Sequence, residues 1–155
     1  VSTHEHFFLD KSDPASWRAI NAFSRKVAAA NEEADIPRSI TELLNVRVSQ
    51  INGCAYCLNM HVRQAREAGV TDQQLAVLPA WRDTQVFSPL ERSALTIAEA
   101  TTELDHSTLH QDLTTARETL TDKQFSALQW SAIAINAFNR ISILSGHPVR
   151  AKRSE

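Results

Sequence analysis

Both cysteines of this chain lie in one eight-residue stretch, Cys54-Ala-Tyr-Cys57-Leu-Asn-Met-His61. On a helix, Cys54, Cys57 and His61 fall at i, i+3 and i+7 and share a face. Two thiols able to close a disulfide, beside an imidazole able to take a proton from one of them, are the minimum equipment for thiol redox catalysis. Asn52-Gly53 interrupts the helical pattern just before Cys54, so the first cysteine is expected at or near a helix N-terminus. Free N–H groups and the helix dipole favour a thiolate there. His61, one turn beyond Cys57, pulls the other way: a specific base also handles the proton in the transition state, which a dipole cannot. On that ground Cys57 is the expected nucleophile. Arg47 and Arg63 are local basic residues whose direction is left open.

Glu42 joins the group by a geometric argument. If segments 39–51 and 54–68 form an antiparallel hairpin about Asn52-Gly53, Glu42 lies about 15 Å back along the first helix, at the α-helical rise per residue. His61 lies about 12 Å along the second by the same arithmetic. The two are then nearly level, and a carboxylate beside an imidazole orients it and raises its basicity. Ser39-x-x-Glu42 also has the form of a capping box, which would turn the same carboxylate back toward Ser39. The residues alone favour the cap.

Other readings compete for the cysteine face. A structural disulfide over so short a loop would stabilise by roughly 2 kcal/mol, and cytosolic reductants would oppose it. Cys54, Cys57, His61 and Glu42 also make a conceivable zinc tetrahedron, although zinc sites with two sulfurs usually draw their other ligands from a distant segment. His106 and His110 are at i, i+4 spacing without a cysteine or acidic residue to complete a site, and read as solvated. Asn136 and Arg140 read as a polar contact, with a structural ion pair as the plainer expectation for Arg140. Trp17, Trp81 and Trp130 fit core or interface packing.

The elements that must position this face are helical. Asp13-Pro14 is a cap donor before a first-turn proline, followed by Trp17, Ile20, Phe23 and Val27 at helical spacing. Thr71 with Gln74, Ser88 with Glu91, and Thr121 with Gln124 repeat the capping-box form. Asp35-Ile36-Pro37, Gly69 and Gly146 with Pro148 are stops. The expected helices are 14–31, 39–51, 54–68, 71–78, 88–104, 109–120 and 121–145. No period-two strand competes, so the fold class is all-α, a compact bundle of six to seven helices. Segment 121–145 is apolar around a broad stripe, which suits a central core helix or one buried between subunits.

The 155 residues are 43% hydrophobic and 22% charged, with net charge −2. That balance gives no electrostatic reason for a nucleic-acid or membrane partner. The longest apolar run contains Gln129, Asn136, Asn139 and Arg140, which argues against a membrane span. No signal peptide is visible, and a cytoplasmic location is expected. One domain over 1–155 is expected, with 1–13 as an N-terminal arm and 149–155 as a polar tail. In the arm, Phe7 and Phe8 are expected to pack on the domain or on a neighbouring subunit, and His4 and His6 carry no assigned role.

The run from Thr41-Glu42-Leu43-Leu44 through Val46-Arg47-Val48-Ser49-Gln50-Ile51-Asn52-Gly53 to Cys54, Cys57 and Met60-His61 resembles the carboxymuconolactone decarboxylase superfamily, in its AhpD-like alkylhydroperoxidase branch. Ala134-Ile135-Asn136-Ala137-Phe138-Asn139-Arg140 is similar to that family's last long helix. The resemblance implies an AhpD-like bundle that assembles as a dimer, trimer or hexamer. It implies a peroxidase or disulfide reductase acting on a small organic hydroperoxide. Cys57 would attack the O–O bond, Cys54 would resolve the sulfenic acid into a disulfide, and His61 with Glu42 would relay protons. The reductant would be a dithiol such as dihydrolipoamide or a carrier protein, with no metal or organic cofactor. The resemblance also reverses the balance on Glu42, from cap to relay. Tyr56 departs from the best-studied alkylhydroperoxidase type, which has histidine there, and a phenol is a poorer base at neutral pH. Two alternatives remain in view: a decarboxylase of a carboxylated lactone on the same fold, and a non-catalytic redox-sensing or zinc-binding module.

Overall fold

The computed structural model describes residues 6–152, so His4 lies outside the described residues. Among these, eight α-helices and one 3-10 stretch follow in order, with no strand. They are α1 (Leu9–Ser12), α2 (Pro14–Glu33), α3 (Arg38–Asn52), α4 (Ala55–Glu67), α5 (Asp72–Val77), the 3-10 stretch Leu78–Asp83, α6 (Pro89–Glu103), α7 (Leu109–Arg117) and α8 (Asp122–Ser145). The all-α reading holds, with more pieces than the expected six or seven.

The caps behave largely as their chemistry requires. Asp13 accepts from the backbone N–H groups of Ala15 and Ser16 ahead of Pro14. Thr71, Ser88 and Thr121 each form a reciprocal box with Gln74, Glu91 and Gln124. The fourth box is a correction. Helix α3 begins at Arg38 behind Pro37, with no side-chain cap, so Ser39 lies inside the first turn and Glu42 is released for another partner.

Three other differences have local causes. The arm contains the short turn α1, whose Leu9 N–H donates to Ser145 Oγ (2.9 Å), tying it to the end of α8. Beyond α5 the chain tightens into a 3-10 stretch at Leu78-Pro79, because proline has no N–H for a continuing α-helical bond. Helix α7 ends at Arg117, three residues short of its expected limit. Residues 149–152 have no regular structure and are exposed.

Helix α3 is the shared wall of two apolar clusters. Leu44 and Val48 pack with Ile97, Leu128 and Ile135 from α6 and α8. Leu43 and Val46 pack with Ala65, Leu78, Trp81 and Leu95 on its other side. All four α3 side chains are almost fully buried, and burying each is worth roughly 1.5–3 kcal/mol. A helix clamped on both sides has little freedom to rotate, which sets the phase of Glu42.

Helix α8 packs against α2, α3 and α6. Leu128, Ala132 and Ile135 enter the core, whereas Trp130, Ile133, Ile143 and Leu144 remain exposed. Trp81 is buried, Trp17 is partly buried and packs edge-on to Phe138, and Trp130 packs edge-on to Phe23 while keeping 49% exposure. Of the arm's aromatics, Phe8 stacks on His147 while Phe7 is exposed.

Candidate active site

The hairpin expected from Asn52-Gly53 is present. Gly53 takes a left-handed backbone (φ 68°) that closes α3, and the Cys54 N–H returns to the Ser49 carbonyl (3.1 Å). An L side chain pays for that backbone in strain, which glycine avoids. Cys54 is then the N-cap of α4, and its Sγ accepts the Cys57 N–H at 3.3 Å. Cys54 and Cys57 are joined by a disulfide, with Cα atoms 5.3 Å apart. Both are buried, Cys57 at 3% exposure.

Across the hairpin, Glu42 Oε2 lies 2.8 Å from His61 Nδ1, and both side chains are buried. An ionised carboxylate has no proton to donate, so Nδ1 carries the hydrogen and Nε2 presents the lone pair. The second Glu42 oxygen lies 3.8 Å from Arg38 Nε at the surface. His61 sits one turn beyond Cys57 on α4, a spacing that brings Cβ atoms within about 5–6 Å. The arrangement brings together the parts of an acid–base relay: a cysteine pair, here oxidised, an imidazole and a carboxylate in contact with it.

Neither local arginine serves the cysteines. Arg47 donates to Glu99 (2.9 Å) and Gln50 (3.2 Å), and Arg63 lies at the surface, 3.9 Å from Glu67. Among the described residues Arg140 makes no ion pair; it donates to the carbonyl and the side-chain oxygen of Asn136, so the polar contact with Asn136 forms and the expected ion pair does not. His106 and His110 are exposed. Among the described residues no group of three or more His, Cys, Asp and Glu side chains is placed to hold a metal ion.

Two supporting groups were not anticipated. Asn52 donates to Asn136 Oδ1 (2.9 Å) and Asn139 Oδ1 (3.0 Å), and the fully buried Asn139 donates to Ser49 Oγ (3.1 Å). This network bolts the end of α3, and hence Cys54, to α8. Asn52 beside glycine reads only as a turn signal, so nothing in the sequence marks its partners. The second is His147, whose Nδ1 meets Ser142 Oγ (2.9 Å) and Nε2 meets Asp10 (3.0 Å). Its ring packs against Tyr56, next to Cys57, at 5.2 Å between centroids. Tyr56 is thus part of an aromatic cover running through His147 to Phe8.

A cleft of about 450 Å³ opens between α2, α3, α4 and α8. Glu42 and His61 form part of its wall, opposite Val27 and Asn31 of α2 and Ile135 and Phe138 of α8. The cysteines are not among its lining residues, so this cleft reaches the redox face at its His61 end.

The model of the carboxymuconolactone decarboxylase family matches residues 14–100, which include Glu42, both cysteines and His61. The chain is 36% identical over 122 residues to YdfG, an uncharacterised protein of Bacillus subtilis, covering 78% of this chain and 83% of that one. A shorter match, 32% over 68 residues, links it to the uncharacterised protein H16_B0147 of Cupriavidus necator, covering 44% of this chain and 58% of the relative. Among solved structures it resembles ATU0492 from Agrobacterium tumefaciens, a protein of unknown function put forward as the antioxidant defence protein AhpD. That resemblance has a TM-score of 0.85 at 25% identity, over 96% of this chain and all of the other. With the family model spanning more than half its length and around the cysteine–histidine hairpin itself, the chain belongs to the carboxymuconolactone decarboxylase family.

Proposed function

We propose that the protein is a thiol peroxidase and disulfide reductase that reduces small organic hydroperoxides through Cys54 and Cys57. The observation that carries this reading is the cysteine pair at the start of α4 with the Glu42–His61 contact one turn further on. In the reduced protein His61 Nε2 takes the Cys57 proton. The thiolate attacks the terminal oxygen of ROOH, the O–O bond breaks, and Cys57 becomes a sulfenic acid. The alkoxide leaves with the proton held by His61, as ROH. The Cys54 thiol then attacks the Cys57 sulfur, releasing water and forming the disulfide. A dithiol such as dihydrolipoamide, free or on a carrier protein, reduces that disulfide and becomes a cyclic disulfide itself.

The burial of Glu42 and His61 supports the relay, because a low-dielectric setting strengthens the pairing of carboxylate and imidazolium. A cytoplasmic, reducing setting suits a pair that must return to dithiols. We further propose a homo-oligomer, supported by the exposed Trp130 and Ile133 on α8.

The test is dihydrolipoamide-dependent consumption of tert-butyl hydroperoxide by metal-free protein, with Cys57→Ser alongside. Turnover by the wild type that vanishes in the variant is expected. No turnover with any dithiol would discard the reading. Activity of Cys54→Ser on a carboxylated lactone would select the decarboxylase instead, since that chemistry needs no cysteine pair.

A further inference from the structure

Asn139 on α8 belongs neither to the relay nor to the lining of the cleft, yet it has 0% exposure. Both ends of its amide are engaged by the last turn of α3. Its Oδ1 accepts from Asn52 (3.0 Å), and its nitrogen donates to Ser49 Oγ (3.1 Å). The network leaves no choice of orientation. Asn136 gives its own N–H groups to the Ala132 carbonyl (2.8 Å) and to Thr102 Oγ1 (3.0 Å), so its oxygen faces Asn52 at 2.9 Å. Asn52 must then donate, and the atom of Asn139 that it meets is the oxygen.

Ser49 and Asn52 are the two ends of the turn that delivers the first cysteine. The Ser49 carbonyl accepts the Cys54 N–H (3.1 Å), and Asn52 is followed directly by Gly53 and Cys54. One side chain, 90 residues beyond Ser49, therefore grips both ends. A fully satisfied buried network of this kind fixes one arrangement, because a shift leaves a donor or an acceptor unmatched. A thiol held in this way closes its disulfide with little further loss of freedom, which amounts to a high effective concentration.

We propose that Asn139 is the positioning residue for Cys54. It holds the turn from Ser49 to Asn52 so that the Cys54 thiol stays beside Cys57 in the reduced protein, and it thereby favours the disulfide over the dithiol. This deepens, and rests on, the reading of the two cysteines as a pair that cycles between those states.

The wild type, Asn139→Ala, Asn52→Ala and a control are equilibrated in mixtures of reduced and oxidised dithiothreitol. Each reduced dithiothreitol gives up two electrons and two protons and closes to its cyclic disulfide, while the Cys54–Cys57 bond opens to two thiols. The dithiol fraction is read by alkylation and intact mass. The control is Leu113→Ala on α7, which thins the main apolar cluster without touching the turn. The equilibrium constant for reduction should rise about tenfold in Asn139→Ala, the usual scale of coupling between neighbouring groups. It should rise in the same direction in Asn52→Ala, a half-buried position that carries the test if Asn139→Ala does not fold. Leu113→Ala should unfold at lower urea yet stay within twofold of the wild-type constant. Folded asparagine variants within twofold of wild type, a shift toward the disulfide, or a control that shifts as far would each overturn the proposal. No hydroperoxide enters this assay, so the expected shift in a protein that consumes none would sink the peroxidase reading and leave the role of Asn139 standing.

Discussion

Glu42 reaches His61 because its alternative partner is absent. Ser39 lies within the first turn of α3 rather than at its cap, and Pro37 occupies that position with no side-chain bond to give. The carboxylate is left to accept from His61 Nδ1 at 2.8 Å and, more loosely, to face Arg38. If this contact sets the imidazole's tautomer and basicity, Glu42→Gln should lower kcat/KM for tert-butyl hydroperoxide by about tenfold to a hundredfold, the usual effect of losing an orienting carboxylate. His61→Gln, which removes the proposed base, should cost about 10²- to 10⁴-fold. A Glu42→Gln enzyme within twofold of wild type would show that the carboxylate is structural. Both residues were legible in the sequence from type and spacing, whereas the tie that Asn52 makes to Asn136 and Asn139 was not. An asparagine in the last turns of a helix carries no signal until its neighbours on α8 are in place.

At the scale of elements, the α3–α4 hairpin sets the site, and Gly53 is its pivot. The residue has φ 68°, and a Cβ built there would meet nothing within 4 Å, so substitution is felt through backbone strain alone. Gly53→Ala should therefore destabilise by about 1–2 kcal/mol, the cost of a left-handed L-residue, with the denaturant m-value unchanged. Urea unfolding checks this, and a change below 0.3 kcal/mol (roughly the noise of such additive comparisons) would contradict it. The hairpin was readable because its turn, its helix lengths and the level placement of Glu42 and His61 all follow from rise per residue. The rotational phase did not follow from that arithmetic. It comes from the two-sided burial of α3, which depends on helices far along the chain.

Across the whole molecule, Glu99 of α6 gathers three elements. It accepts from Arg47 of α3 (2.9 Å), from Trp81 Nε1 (2.9 Å) and from Arg82 in the 3-10 stretch, and Arg82 also lies over the Trp81 ring. Burial pushes the Glu99 carboxyl up, but the hydrogen bonds from Arg82, Trp81 and Arg47, with the charge of Arg82, outweigh it and hold it below its ordinary value of 4.5. A carboxyl with a lowered folded pKa adds stability that is fully present above the unfolded value and is lost as pH falls through the folded one. The stability difference between wild type and Glu99→Gln should therefore stay constant above about pH 5.5 and shrink as pH drops below 4.5, read from thermal unfolding. A difference that grows on acidification would have the wrong sign. Glu99→Ala should cost about 3 kcal/mol at neutral pH, because it strands Arg47 and the Trp81 N–H. At the same scale, the proposed oligomer predicts a sedimentation mass above one protomer that falls toward it in a Trp130→Ser, Ile133→Ser double variant. A monomeric wild type would remove that proposal.

What the sequence determined by itself was whatever depends on residues close together along the chain. The helices and most of their caps, the turn at Asn52-Gly53, and the shared face of Cys54, Cys57 and His61 are all of this kind, because backbone sterics and local hydrogen bonds act over a few residues. Tertiary structure alone decided what depends on distant partners. Packing chose the imidazole over the cap for Glu42, gave Arg47, whose direction the sequence left open, to Glu99, and made Asn52 a bolt on α8 as well as a turn signal. A buried polar side chain takes whichever partner packing brings within about 3 Å, and that choice belongs to the assembled fold.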